Sequence, residues 1–123
     1  MYTLDTNAII YYVQEDSRAV AVLENIVKGE YPVYVSVLTE AELFSYSNLT
    51  KAEADAIDGL LQTTSIIPFD SRLARLAGMI RRTYGVKLSD SVIAATALLT
   101  GSTLLTRNTK DFRRIPNLSL KHI

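Results

Sequence analysis

Apolar and polar positions alternate between two spacings along the chain. Short, compact apolar runs at Tyr2–Leu4, Val33–Ser36, residues 65–69 and Thr103–Thr106, with a weaker one at residues 119–121, read as strands. The intervening stretches carry apolar residues three and four apart. Asp16 or Ser17 opens a helix reaching Lys28, with Val20, Leu23, Ile26 and Val27 as its stripe and Gly29 as its stop. Thr39 is positioned to cap a helix reaching about Tyr46. Thr50 with Glu53 forms a capping box for the next. Asp70 caps a long helix ending at Tyr84 before Gly85, and Ser89 or Asp90 starts a last major one that is apolar nearly all round before Gly101. A helix without a polar face belongs in the interior.

Strands alternating with helices imply parallel pairing through right-handed crossovers. The expected fold is an α/β, three-layer α/β/α sandwich with a four- or five-stranded, mostly parallel sheet. In such sheets ligands bind beyond the carboxyl ends of the strands. At 123 residues the chain makes a single domain over 1–123, large enough to bury about two thirds of its unfolded surface. An apolar content of 48% with only three Pro and five Gly argues for a packed core, and no internal repeat is present. The absence of Cys excludes a disulfide framework and Cys-ligated zinc. Asp5 comes too early for a secretory signal, and residues 92–99 fall far short of the roughly 20 apolar residues a membrane span requires. A soluble, cytoplasmic protein with no membrane partner is the expectation.

A formal net charge of zero hides a division. Residues 1–69 carry ten acids and three bases, whereas residues 70–123 carry three acids and ten bases, or −7 against +7. Some of the basic residues flank Asp90 and Asp111, and the set is suited to a phosphate backbone. The structural alternative is that Arg72, Arg75, Arg81 and Arg82 line the solvated face of one helix.

Four acids stand at strand-to-helix or pre-helix positions: Asp5 after the first strand, Glu42 after the second, Asp90 at a helix start and Asp111 after the fourth strand. Each has an ordinary explanation. Asp5 or Thr6 would cap a helix through Tyr12, Glu42 stands at capping-box spacing from Thr39, Asp90 suits a helix dipole, and Asp111 fits a solvated loop beside Lys110. Asp70 also ends a strand and opens a helix, and its role is capping alone. Clustering all four in an apolar fold would raise their pKa values unless a cation offset the repulsion. Oxygen ligands without Cys suit Mg²⁺ or Mn²⁺ rather than structural zinc, and His122 stands isolated near the end of the chain. Such an ion would polarise a phosphodiester and activate water.

Leu4-Asp5-Thr6-Asn7, the Ser36 to Leu43 block, Leu88-Ser89-Asp90-Ser91 with its apolar continuation, and Leu105 to Phe112 together resemble the PIN domain, and within it the VapC-like toxins of type II toxin–antitoxin systems. The resemblance runs from the first strand to the last. It implies a Mg²⁺- or Mn²⁺-dependent endoribonuclease, silenced by a cognate antitoxin and forming a homodimer. It assigns Asp5, Glu42 and Asp90 as acidic metal ligands and catalytic residues, and Thr6 and Asn7 as pocket residues around Asp5. The fourth acidic position falls on Asn108 or on Asp111, the next available carboxylate, and Thr106 is expected to hydrogen-bond within the pocket. Glu40, two residues from Glu42, is read as a surface acid. Tyr11, Tyr12, Leu43, Phe44 and Tyr46 are candidates for a groove that takes an antitoxin segment. Two other readings stand beside this one. A non-catalytic PIN-like RNA-binding or assembly module is compatible with the neutral Asn108, and a phosphotransfer enzyme could use Asp5 as nucleophile, although it would want a second early Asp.

Overall fold

The computed structural model describes residues 1–123, and its elements follow the apolar periodicity closely. Strands are β1 (Tyr2–Leu4), β2 (Val33–Ser36), β3 (Ser65–Ile67), β4 (Thr103–Thr106) and β5 (Leu120–His122). Helices are α1 (Thr6–Val13), α2 (Ser17–Lys28), α3 (Val37–Phe44), α4 (Lys51–Leu61), α5 (Ser71–Tyr84), α6 (Leu88–Thr100) and α7 (Thr109–Phe112). All strand pairs are parallel and the order is β3-β2-β1-β4-β5. The sheet therefore has five strands, with β1 at its centre.

Strand residues send alternate side chains to opposite faces, and the core divides accordingly. Leu105, Val33, Val35 and Leu4 pack under α1, α2 and α4, against Ile9, Leu23, Ile26 and Ile57. Leu104 faces the other way, into a cluster built from Leu73, Ala77 and Ile80 of α5 and Val92, Ile93 and Ala95 of α6. Residues Ser91 to Ala97 of α6 are all buried, as expected of a helix without a polar face. Conversely, Arg72, Arg75, Arg81 and Arg82 are exposed on α5.

Several helix ends use the expected caps. Asp16 accepts from the Ala19 amide at 3.0 Å, Asp70 from Leu73 at 2.9 Å, and Thr50 and Glu53 complete their reciprocal box. Gly85 and Gly101 end α5 and α6 at φ 70° and 64°, a left-handed conformation that glycine adopts without a Cβ clash.

Other boundaries differ from the sequence reading. Strand β3 stops at Ile67, because Pro68 has no amide to donate to the ladder. Helix α3 starts at Val37 and not after Thr39, since β2 runs into it without a loop and Ser36 is the cap, accepting from Leu38 at 3.1 Å. Helix α6 begins at Leu88, one residue before Ser89, with Lys87 in the cap position and no side-chain cap. Asp111 lies in the short helix α7 rather than in a loop.

Candidate active site

Going outward from β1, the strand order runs to β2 and β3 on one side and to β4 and β5 on the other. The crossover direction reverses between β1 and β4, and the carboxyl ends of these two strands frame the crevice where ligands of open α/β sheets bind. Register does the rest. Leu4 pairs with Leu105, so the next residues, Asp5 and Thr106, meet at the crevice floor. The Asp5 amide donates to the Leu105 carbonyl at 3.1 Å, and the residue is only 4% exposed. Asp5 occupies the N-cap position of α1 without making a side-chain capping bond.

The Thr106 hydroxyl donates to Asp5 Oδ2 at 2.7 Å and accepts from the Asn108 amide at 2.9 Å. A hydroxyl has one proton, so the Asn108 amide leaves that proton aimed at the carboxylate. Burial pushes the Asp5 carboxyl above its ordinary pKa; the Thr106 hydrogen bond opposes the shift, and the negative charge of Glu42 adds to it.

A second hydroxyl chain holds Glu42. Thr6 Oγ1 donates to Glu42 Oε1 at 3.0 Å and lies 3.0 Å from Thr39 Oγ1. Since Thr6 has spent its proton on Glu42, Thr39 is the donor to Thr6. Thr39 is fully buried, one helical turn before Glu42 on the same face of α3. The spacing that suggests a capping box therefore reflects a side-chain relay inside the crevice.

Asp90, in the first turn of α6, is partly buried. Its carboxyl is pushed up to about 6, chiefly by burial and then by the charge of Asp5, with Lys87 opposing and Asp111 and Glu42 contributing further repulsion. The mutual influence of Asp5, Glu42, Asp90 and Asp111 puts the four acids in one electrostatic neighbourhood. They do not converge: no three His, Cys, Asp or Glu side chains come close enough to ligate one ion in this arrangement. Asn108 sits at the start of α7 with its amide engaged and no side-chain capping bond. Asn7 is exposed, whereas Glu40 is partly buried rather than a freely solvated surface acid. His122 is exposed on edge strand β5.

Beside the crevice runs a groove of about 440 Å³, lined by Tyr11, Leu43, Tyr46, Leu49 and Ile57 among others, with Asn7 at its border. Tyr12 lines two adjoining depressions instead, and Phe44 lines none of the three. Sequence reasoning also leaves Asp16 as a mere cap and Arg107 as one of many bases, although the two form an ion pair beside Tyr11. Nothing in the local pattern links positions 91 residues apart.

Comparison with known proteins agrees with this architecture. Ribonuclease VapC2 of Rickettsia felis is 28% identical over 130 residues, covering 99% of this chain and 97% of the relative. The crystal structure of VapBC2 from the same organism, bound to a DNA fragment from their promoter, superposes with a TM-score of 0.84 at 28% identity, covering 99% of this chain and 98% of that one. A toxin–antitoxin complex from Klebsiella pneumoniae gives 0.81 at 31% identity, with 96% and 95% covered. The PIN domain family model matches residues 2–118, a span that takes in β1, the crevice acids and the Thr106–Asn108 turn, and the chain belongs to the PIN domain family.

Proposed function

We propose that this protein is a divalent-metal-dependent endoribonuclease and the toxin of a type II toxin–antitoxin pair. The observation that carries the reading is the buried Asp5 carboxylate at the sheet's switch point, tied to Thr106, repelled by Glu42, and sharing with Glu42 and Asp111 the repulsion that acts on Asp90. A divalent cation would offset the repulsion among these carboxylates. The donor set is all oxygen, which suits Mg²⁺ or Mn²⁺. Asp5, Glu42 and Asp90 would hold the ion, with Asp111 as the fourth acid. When bound, it would polarise the scissile phosphodiester and lower the pKa of a water.

The chain's own groups prepare this site. Thr106 donates to Asp5 Oδ2 and Thr6 to Glu42 Oε1, which orients one oxygen of each carboxylate. Exposed Lys110, Arg113 and Arg114 adjoin Asp111 and offer charges to an RNA backbone. The groove along α1, α3 and α4 suits an apolar antitoxin segment, and an arginine from such a segment could pair with the acids and block them. Relatives solved as toxin–antitoxin complexes support that partner. A homodimer acting in the cytoplasm completes the proposal.

The second reading, a non-catalytic RNA-binding or assembly module, is favoured by the neutral Asn108 and the separation of the carboxylates. Incubating antitoxin-free protein with a panel of tRNA and rRNA decides between them. Discrete fragments that require Mg²⁺ or Mn²⁺ and vanish with EDTA or in Asp90→Asn are expected. Intact RNA in the presence of confirmed metal binding would favour the module.

A further inference from the structure

Arg107 stands between Thr106 and Asn108, the two residues whose hydrogen bonds orient Asp5, yet makes no contact with an acid of the crevice. Its guanidinium is held from three directions. Nη2 pairs with Asp16 Oδ2, Nε donates to the Ile123 carbonyl at 2.8 Å, and the guanidinium carbon lies 4.0 Å from the centre of the Tyr11 ring. These partners belong to the α2 cap, the segment after β5 and α1. An exposed ion pair alone adds little. A planar fork with three simultaneous partners, about one third exposed, is a different case, because one rigid group satisfies all of them together.

Only Arg107 and Asn108 separate β4 from α7, so anchoring Arg107 restricts the turn on both sides. We propose that Arg107 is a positioning residue for RNA cleavage: by clamping the Thr106–Asn108 turn to α1, α2 and the Ile123 carbonyl, it keeps the Thr106 proton on Asp5. The role rests on the nuclease reading for its consequence but not for its geometry.

Two readouts test it separately. In Arg107→Met, NMR amide exchange at Asn108, whose N–H bonds Thr106 Oγ1, should accelerate about tenfold. The amides of Thr103 and Asp5, bonded between β1 and β4, should keep their protection. In cleavage of a fluorescently labelled single-stranded RNA of mixed sequence, kcat should fall about tenfold with KM unchanged, as expected when a reacting group loses its orientation. Asp16→Asn retains an α2 cap but weakens the ion pair; it should shift both readouts the same way by less, and Arg107→Lys should restore part of each. Unchanged exchange at Asn108 overturns the proposal. Equal loosening at Thr103 and Asp5 also overturns it, by reducing Arg107 to a general structural tie, as does a looser Asn108 with kcat intact. If the wild type leaves this RNA whole while binding Mn²⁺, the nuclease reading fails on that substrate, and the exchange data still decide whether Arg107 fixes the turn.

Discussion

Asp90 carries the clearest energetic signature of any single residue. Its folded pKa of about 6 lies above the ordinary 3.8, so the folded protein takes up a proton at higher pH than the unfolded chain. The resulting penalty is complete above about pH 6 and fades as the pH falls toward 3.8. In metal-free protein, Asp90→Asn should therefore be more stable than wild type at pH 7.5, by about 1 kcal/mol once the shift is discounted for partial exposure. That advantage should shrink on acidification, which paired thermal melts at several pH values would detect; a constant difference would contradict the assignment. Thr106→Val makes the complementary case. The variant strands the Asn108 amide and removes the donor to Asp5, so it should cost about 1–3 kcal/mol and reduce cleavage about tenfold or more. Urea titration together with kinetics measures both. The position of Asp5 at the end of β1 was legible in the sequence, because a strand end marks a sheet's working edge. Thr39 was not, because a Thr three residues before a Glu fits a helix cap as well as it fits a relay, and only the direct β2–α3 junction decides.

At the scale of elements, periodicity and caps located the helices because each is a local signal. Asp70, Thr50 and Asp16 all cap the helices that the spacing assigned to them. Thr50→Ala should remove about 1 kcal/mol of stability and leave RNA cleavage unchanged, since α4 contributes no acid to the crevice. A loss of cleavage beyond the loss of folded protein would show that α4 is coupled to the site. Strand order and register were not legible. They depend on pairings between residues far apart in sequence, Leu4 with Leu105 among them, and register is what places Thr106 opposite Asp5. Helix α7 escaped notice for the opposite reason: four residues are too few to show a period.

Over the whole molecule, the bases of the last third of the chain come nearest the candidate site at Lys110, Arg113 and Arg114, exposed neighbours of Asp111 in sequence. Replacing exposed Arg113 and Arg114 by Gln should weaken RNA binding and flatten its dependence on log salt by roughly 1.4, the value for two lost phosphate contacts on a single strand. An unaltered slope would mean that these side chains face away from the nucleic acid. The groove and the crevice share a border at Asn7, so a segment bound in one lies within reach of the other. Asp5, Glu42, Asp90 and Asp111 are proposed to form one divalent-metal site. Calorimetric titration of Mn²⁺ into wild type, Asp5→Asn and Asp90→Asn at pH 7.5 tests it most directly. Saturable binding by the wild type, weakened at least about tenfold in both variants, is the predicted result. Equal binding by all three proteins, or none by the wild type, would contradict it.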